Sequence, residues 1–314
     1  MTNASGPPLS RRAVLLGGAG FALLAACGGS DDDGDSEASP DGEDDPSPEP
    51  ADDGTRFNLI SFFGGPVLVA GREQRAPFGV GDAEGVILGT DNVPESLVFE
   101  VSREGEAVGE PLEIARRGAE IPRPYFPVRF TPPVPGVYEV TTEIDGERLA
   151  PRSIQVSEAA EVPFPQPGDP MVRFDTPTVA DARGVEPLCT REPEPCPFHD
   201  ATLTEALAAG PVAFLIATPA YCATAICGPV VDVLMNRRAE FADRVGMVHA
   251  EVFASGEEAA ANPAGATVAP AVRAYDLSFE PSMVLADAEG RVAERLDFIF
   301  DAEELQEALA RLVS

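Results

Sequence analysis

Two pairs of cysteines are the residues in this sequence best suited to chemistry. Four residues separate Cys222 from Cys227, and six separate Cys189 from Cys196. A cysteine thiolate can attack a disulfide, form a stable cross-link or bind a soft metal ion. The first pair follows an apolar run at 212–217 that is typical of a buried strand. For this pair, the alternatives are therefore redox activity, a structural disulfide and a metal site.

Cys222 is predicted to be the nucleophile of the first pair. It lies in a turn before a helix predicted over 223–242, and the N–H groups and dipole of a helix start stabilise a thiolate. The pKa of Cys222 should therefore be lowered, and Cys227 would resolve the mixed disulfide. A helix continuous through both residues would place them about 140° apart. A disulfide between them therefore requires Cys222 to lie outside the regular helix.

The second pair closes a proline-rich loop of eight residues, and the simplest interpretation is a structural disulfide between Cys189 and Cys196. A second redox pair that exchanges with the first is the alternative. The sequence has two histidines, His199 and His249. His249 lies in a strand predicted over 245–253 and is expected to be buried and hydrogen-bonded. Glu251 shares its strand face and could orient the imidazole.

Residues 1–27 are predicted to be an export signal. Twin arginines precede a 14-residue apolar run at 13–26. This run would reach about 21 Å, too short for the hydrocarbon core of a membrane. Ser10-Arg11-Arg12 resembles twin-arginine export signals, and Leu24-Ala25-Ala26-Cys27 resembles a bacterial lipobox. The resemblance implies an extracytoplasmic protein, lipid-anchored at Cys27 to the bacterial cell membrane.

The segment 28–54 and the overall charge limit the classes of partner. The segment contains 12 acidic residues and no basic residue, which predicts a disordered acidic linker. The whole chain of 314 residues has a net charge of −31. Because phosphates repel such a chain, nucleic acid is not an expected partner.

Residues 55–157 are predicted to form an all-β domain that contains no cysteine or histidine. Short apolar runs alternate with Gly, Pro and Asp turns, which is typical of an antiparallel sandwich. The last predicted hairpin resembles that of immunoglobulin-like domains, and Tyr138 within it could make a corner hydrogen bond or simply pack. The predicted strands are 57–61, 67–70, 96–101, 112–115, 128–130, 137–143 and 153–156.

Residues 158–314 are predicted to form an α/β domain with helices on both faces of a sheet. Thr202 and Glu205 match a capping box at the start of its first helix. The predicted order is a helix from 202, strand 212–217, helix 223–242, strand 245–253, helix 268–275, a hairpin of strands 282–286 and 291–296, and a helix from 301 to 312.

This order resembles the thioredoxin fold. The predicted fold class of the chain is therefore mixed, with an N-terminal all-β immunoglobulin-like sandwich and a C-terminal α/β thioredoxin-like domain. Thr218-Pro219-Ala220-Tyr221-Cys222 and Cys227-Gly228-Pro229 are similar to segments of secreted redoxin lipoproteins of the actinobacterial type. The resemblance implies a cis peptide bond before Pro281, beside the active site. Thioredoxins have two residues between their cysteines, whereas this chain has four. In an alternative register, Cys227-Gly228-Pro229-Val230 matches a Cys-Gly-Pro-Cys motif that lost its last cysteine.

The resemblance implies a membrane-anchored extracytoplasmic thiol–disulfide oxidoreductase that needs no cofactor. Cys222, Cys227 and Pro281 would form its site, and protein thiols or disulfides would be its partners. A second hypothesis is a Sco-like copper chaperone that binds copper through Cys222, Cys227 and His249. A third is an inactive docking lipoprotein that keeps only the redoxin fold.

Overall fold

The computed structural model describes residues 56–314, which belong to one compact unit of mixed α/β structure. The predicted signal at 1–27, its lipidation site Cys27 and the acidic linker 28–54 lie outside the described residues. Within the described part of the chain, no helix is both long enough and apolar enough to cross a membrane.

Ten strands in the N-terminal part form two sheets. One sheet has the order β1-β3-β7, and the other has the order β2-β10-β8-β4-β5, with β6 on β4 and β9 on β8. All pairs are antiparallel except β2 with β10, which is parallel. The strands are β1 Phe57–Ser61, β2 Leu68–Val69, β3 Gln74–Asp82, β4 Ser96–Arg103, β5 Glu106–Ala107, β6 Leu112–Ala115, β7 Phe126–Phe130, β8 Gly136–Ile144, β9 Glu147–Arg148 and β10 Arg152–Ser157.

Aromatic rings join the two sheets in one core. The rings of Phe78 and Phe126 from one sheet lie 6.2 and 5.6 Å from that of Phe99 in the other, and all three are fully buried. The buried Tyr138 hydroxyl donates a 2.6 Å hydrogen bond to the carbonyl of Val134. Tyr138 therefore makes the corner bond and also packs in the core.

The central strand β3 was not predicted, because Pro77, Gly79 and Gly81 give its sequence the composition of a turn. The glycines make room for neighbouring side chains. A Cβ on Gly79 would lie 2.9 Å from the ring of Phe62, and one on Gly81 would lie 2.5 Å from Ile60 Cδ1.

The C-terminal part is a four-stranded sheet of order β12-β11-β13-β14, in which only β11 and β12 are parallel. Buried side chains pack α1 and α4 on one face and α2 and α5 on the other, as predicted. The Thr202–Glu205 capping box is also confirmed. The elements are α1 Leu203–Ala209, β11 Val212–Ile216, α2 Cys227–Phe241, β12 Gly246–Ala250, α3 Gly256–Ala261, α4 Pro270–Tyr275, β13 Ser282–Ala286, β14 Val292–Asp297 and α5 Ala302–Leu312.

The helix predicted over 223–242 begins at Cys227 instead. The chain turns before it, with a 3.2 Å hydrogen bond from the N–H of Ala225 to the carbonyl of Cys222 and a positive φ of 57° at Ala225. Cys222 therefore lies outside the regular helix, as a disulfide to Cys227 requires. The Glu280–Pro281 peptide bond is cis, as predicted.

A buried ion pair connects the two parts of the structure. Arg75 in β3 contacts Glu304 in α5 at 2.7 Å, and both side chains are at most 5% exposed. The Tyr125 hydroxyl donates a 2.5 Å hydrogen bond to the same carboxylate. Asp301 caps α5 and also accepts hydrogen bonds of 2.7 and 2.9 Å from the backbone N–H groups of Gly118 and Ala119. These contacts hold the α/β sheet against the β-rich part.

Candidate functional site

Cys222 lies in the turn between β11 and α2, where the residue is half-buried. Its Sγ accepts a hydrogen bond from the backbone N–H of Cys227 at 3.4 Å. The hydroxyl of Thr224 lies 3.2 Å from the same sulfur. Cys227 is fully buried at the first position of α2. The pair thus consists of one partly exposed cysteine and one fully buried cysteine.

The surroundings shift the two thiols in opposite directions. The Cys227 thiol, the Thr224 hydroxyl and backbone N–H groups donate to Cys222, and they lower its pKa from 9.0 to about 5 although burial opposes the shift. Burial raises the pKa of Cys227, and the neighbouring Cys222 raises it further. At neutral pH, Cys222 is therefore a thiolate and Cys227 a thiol, which is the division of roles between a nucleophile and a resolving cysteine.

Glu280 completes this cluster. A carboxylate oxygen of Glu280 and the two sulfurs of Cys222 and Cys227 all lie within 4.8 Å of one another. Burial and the charge of Cys222 raise the pKa of the Glu280 carboxyl. Sequence reasoning did not assign Glu280 a role. The sequence did contain a signal for Glu280. It immediately precedes Pro281, which was expected to lie beside the active site.

A second cluster gathers the other two cysteines and both histidines. Cys189, Cys196, His199 and His249 are all buried, and their ligand atoms lie within 4.8 Å of one another. The four cysteines of the described residues are free thiols, so the predicted Cys189–Cys196 disulfide is not formed in this structure. Instead, Cys196 Sγ lies 3.3 Å from both His199 Nε2 and His249 Nδ1. Two imidazoles therefore occupy the space around the sulfurs.

The cysteine loop lies along the outer edge of β12, and this docking brings His249 into the second cluster. The backbone N–H of His249 donates a 3.1 Å hydrogen bond to the carbonyl of Phe198. His249 Nε2 lies 3.1 Å from the carbonyl of Ala217, so this nitrogen is the donor and Nδ1 faces the sulfurs. Burial lowers the pKa of His249, but its hydrogen bond with Cys189 and the charge of Glu251 outweigh this effect and raise it.

This placement corrects two expectations about His249. The hypothetical copper site of Cys222, Cys227 and His249 is not assembled, because the ring of His249 groups with Cys189 and Cys196 instead. Its ring is oriented by the carbonyl of Ala217 rather than by Glu251. Its burial and hydrogen bonding are as predicted.

Thr190 links the two clusters. Its N–H and hydroxyl donate to Glu251 Oε1 at 2.6 and 2.8 Å. The Thr190 hydroxyl in turn accepts a 3.2 Å hydrogen bond from the backbone N–H of Ala220. Thr190 follows Cys189, and Ala220 lies two residues before Cys222. The loop of the second cluster therefore holds the turn that carries Cys222.

Comparison with protein-family models and with curated proteins finds no match to this chain. The assignment of function therefore rests on the site itself. A cavity of about 740 Å³ lies between the β-rich part and β14 with α5, and none of the four described cysteines lines it. The chemistry of the cysteines is thus separate from this cavity.

Proposed function

We propose that this chain is a thiol–disulfide oxidoreductase in which Cys222 is the nucleophile and Cys227 the resolving cysteine. The observation that carries the proposal is the asymmetry of the pair. Cys222 is partly accessible with a pKa of about 5, and Cys227 is buried beside it with a raised pKa. A structural cross-link needs no such division between thiolate and thiol.

The reaction is a pair of exchange steps. The Cys222 thiolate attacks a substrate disulfide, forms a mixed disulfide and releases the first substrate thiolate. Cys227 then loses its proton and attacks Cys222 Sγ, which forms the Cys222–Cys227 disulfide and releases the second substrate thiolate. Two protons end on the substrate sulfurs, one from Cys227 and one from solvent. The same steps in reverse oxidise a substrate dithiol.

Glu280 is proposed to accept the proton of Cys227 in the second step. Since the pKa of Cys227 is raised, its thiolate is scarce and its attack needs a base nearby. The Glu280 carboxylate lies within 4.8 Å of both sulfurs, in reach of the proton directly or through one water. Its own raised pKa makes it a better acceptor than an ordinary carboxylate.

The fold supports a thioredoxin-like assignment for the C-terminal part, beside an immunoglobulin-like N-terminal part. Ile216 at the end of β11 pairs with Ser282 at the start of β13. The turn after β11 and Pro281 before β13 therefore lie at the same end of these two strands. Pro281 and the adjoining backbone would bind the substrate chain at this end of the strands.

The proposed partners are protein thiols or disulfides outside the cytoplasm. The predicted lipid anchor at Cys27 and the acidic linker would place the enzyme at the outer face of the cell membrane. The proposed reaction uses only sulfur atoms and protons at this site and requires no cofactor.

Trapping of the mixed disulfide tests the proposal. A Cys227→Ser variant of the full chain, mixed with a peptide that contains a disulfide, should accumulate a covalent adduct at Cys222, because resolution is blocked. The matched Cys222→Ser variant should form none. Mass spectrometry after acid quenching locates the adduct. Equal adduct formation in both variants, or none in either, would contradict the assigned roles.

A further inference from the structure

We propose that Cys189, Cys196, His199 and His249 form a four-coordinate site for a Zn²⁺ ion, distinct from the redox pair. The inference does not depend on the proposed oxidoreductase activity. It rests on the positions of four side-chain atoms, on the hydrogen bond that orients one imidazole and on the burial of the cluster.

The four atoms have the separations of a metal coordination shell. With Zn–S near 2.3 Å and Zn–N near 2.0–2.1 Å, a regular tetrahedron spaces its ligand atoms about 3.3–3.8 Å apart. The two imidazole nitrogens lie 3.2 Å apart. Cys196 Sγ lies 3.3 Å from each of them, and Cys189 Sγ lies 3.8 Å from His249 Nδ1. All four atoms lie within 4.8 Å of one another, so a single ion can reach every one of them.

The ring of His249 is already held in the orientation that a metal ligand requires. Its Nε2–H donates to the carbonyl of Ala217 at 3.1 Å, which leaves the lone pair of Nδ1 directed at the sulfurs. Metal-binding histidines commonly donate their other N–H to a carbonyl or carboxylate in this way. Ala217 directly follows β11, and its N–H donates a 3.1 Å hydrogen bond to the carbonyl of Ala250 in β12, so the sheet holds the carbonyl that orients His249.

Charge also favours a divalent ion. All four side chains are less than 9% exposed, and an unpaired charge is costly in such a place. Two thiolates and two neutral imidazoles balance the charge of Zn²⁺ completely. The set of two cysteines and two histidines is one of the usual closed, structural zinc sites.

The site would fasten the proline-rich loop to β12. Cys189 and Cys196 bound this loop, and His199 follows it. Thr190, next to Cys189, accepts the N–H of Ala220 in the turn that carries Cys222. A bound ion would therefore hold the redox turn in place through the loop without contacting the reacting sulfurs.

Metal analysis of the full chain, purified under reducing conditions, tests the proposal. The protein is stripped with a chelator, reloaded with Zn²⁺ and desalted, and zinc is measured by mass spectrometry. We expect about one ion per chain. The Cys222→Ala/Cys227→Ala double variant should retain it. The Cys189→Ala/Cys196→Ala variant should bind none.

Two further measurements remain informative if the second variant fails to fold. Zn²⁺ should protect Cys189 and Cys196 of the unmodified protein from alkylation while Cys222 still reacts. Co²⁺ in place of Zn²⁺ should give the visible spectrum of a tetrahedral ion with thiolate ligands. A His199→Gln variant should weaken both effects.

Three results would overturn the zinc site. The first is the lack of stoichiometric zinc binding by the unmodified chain. The second is a Cys189–Cys196 disulfide that persists in the protein purified under reducing conditions. The third is loss of zinc on substitution of Cys222 and Cys227 alone. Because the double variant lacks the redox pair, zinc binding by it is informative even where the chain has no oxidoreductase activity.

Discussion

The backbone N–H of Cys227 donates a hydrogen bond to Cys222 Sγ across 3.4 Å, and the Cys227 thiol contributes most to the low pKa of Cys222. In the proposed reaction, Cys227 therefore first activates Cys222 and later attacks the mixed disulfide that Cys222 forms. This relationship links the geometry of the turn to its reactivity, because both donors belong to the first residue of α2.

The alkylation rate of Cys222 should depend on pH with a midpoint near 5, far below the ordinary thiol value of 9.0. Since the thiolate is the reactive form, the rate should rise as the pH increases through this midpoint and then level off. Rates measured with iodoacetamide and peptide mapping check this. A midpoint above 8 would contradict the assigned environment.

Substitution of Cys227 should raise that midpoint by an amount that depends on the new side chain. Cys227→Ala removes the thiol donor and should raise the midpoint further than Cys227→Ser, whose hydroxyl can still donate. The backbone N–H and the Thr224 hydroxyl remain in both variants, so neither should reach 9.0. The same alkylation profiles measure the difference. Identical profiles in the two variants would show that the side chain of residue 227 does not activate Cys222.

Glu280→Gln should slow the resolving step and leave the first attack unchanged. The amide keeps the shape of the carboxylate but cannot accept the Cys227 proton, and general-base catalysis typically contributes about 10²–10⁴-fold. Rapid quenching should therefore show a transient mixed disulfide at Cys222. The exposed Glu289→Gln is the matched control and should behave as the unmodified chain does. A resolving rate unchanged in Glu280→Gln would exclude Glu280 as the base.

Thr190→Val should loosen the turn before Cys222. It removes the hydroxyl that donates to Glu251 and accepts from Ala220, leaving a buried carboxylate with one donor fewer. We expect a loss of about 1–3 kcal/mol in the free energy of unfolding, measured by urea denaturation. Faster hydrogen exchange at Ala220 should accompany it. The exposed Thr90→Val should change neither quantity.

Glu304→Gln should destabilise the whole described unit, because it leaves Arg75 buried without its anion. Loss of one partner from a buried pair typically costs about 3–5 kcal/mol. The pKa of Glu304 is lowered by Arg75 against the effect of burial, so this stabilisation is present above pH 4.5 and is lost as the pH falls through the lowered value. Glu100→Gln, which breaks an exposed pair with Arg148, should have little effect.

Local sequence signals predicted the features that depend on a few neighbouring residues. The capping box at Thr202, the corner bond of Tyr138 and the lowered pKa of Cys222 are confirmed. The mechanism of the lowered pKa differs in part, because the helix begins at Cys227 and the main donors are side-chain and backbone groups rather than a helix start at 223.

The features that the sequence did not predict depend on distant contacts. His249 contacts Cys196, which lies 53 positions earlier in the sequence, only because the cysteine loop docks on the edge of β12. The spacing Cys196-x-x-His199 was the local signal for this cluster, and the fold had to place the second histidine. Strand β3 was not predicted because its glycines resemble a turn. They are needed there because Phe62 and Ile60, on neighbouring chain segments, leave no room for a side chain.

The reduction potential of the Cys222–Cys227 couple distinguishes a catalytic pair from a structural cross-link. The full chain is equilibrated in a series of dithiol buffers, quenched by alkylation and analysed by mass spectrometry. We expect a midpoint within about −120 to −270 mV, the range of catalytic pairs, because the Cys222 thiolate stabilises the reduced form. A midpoint below about −300 mV would contradict it and mark the pair as a structural cross-link.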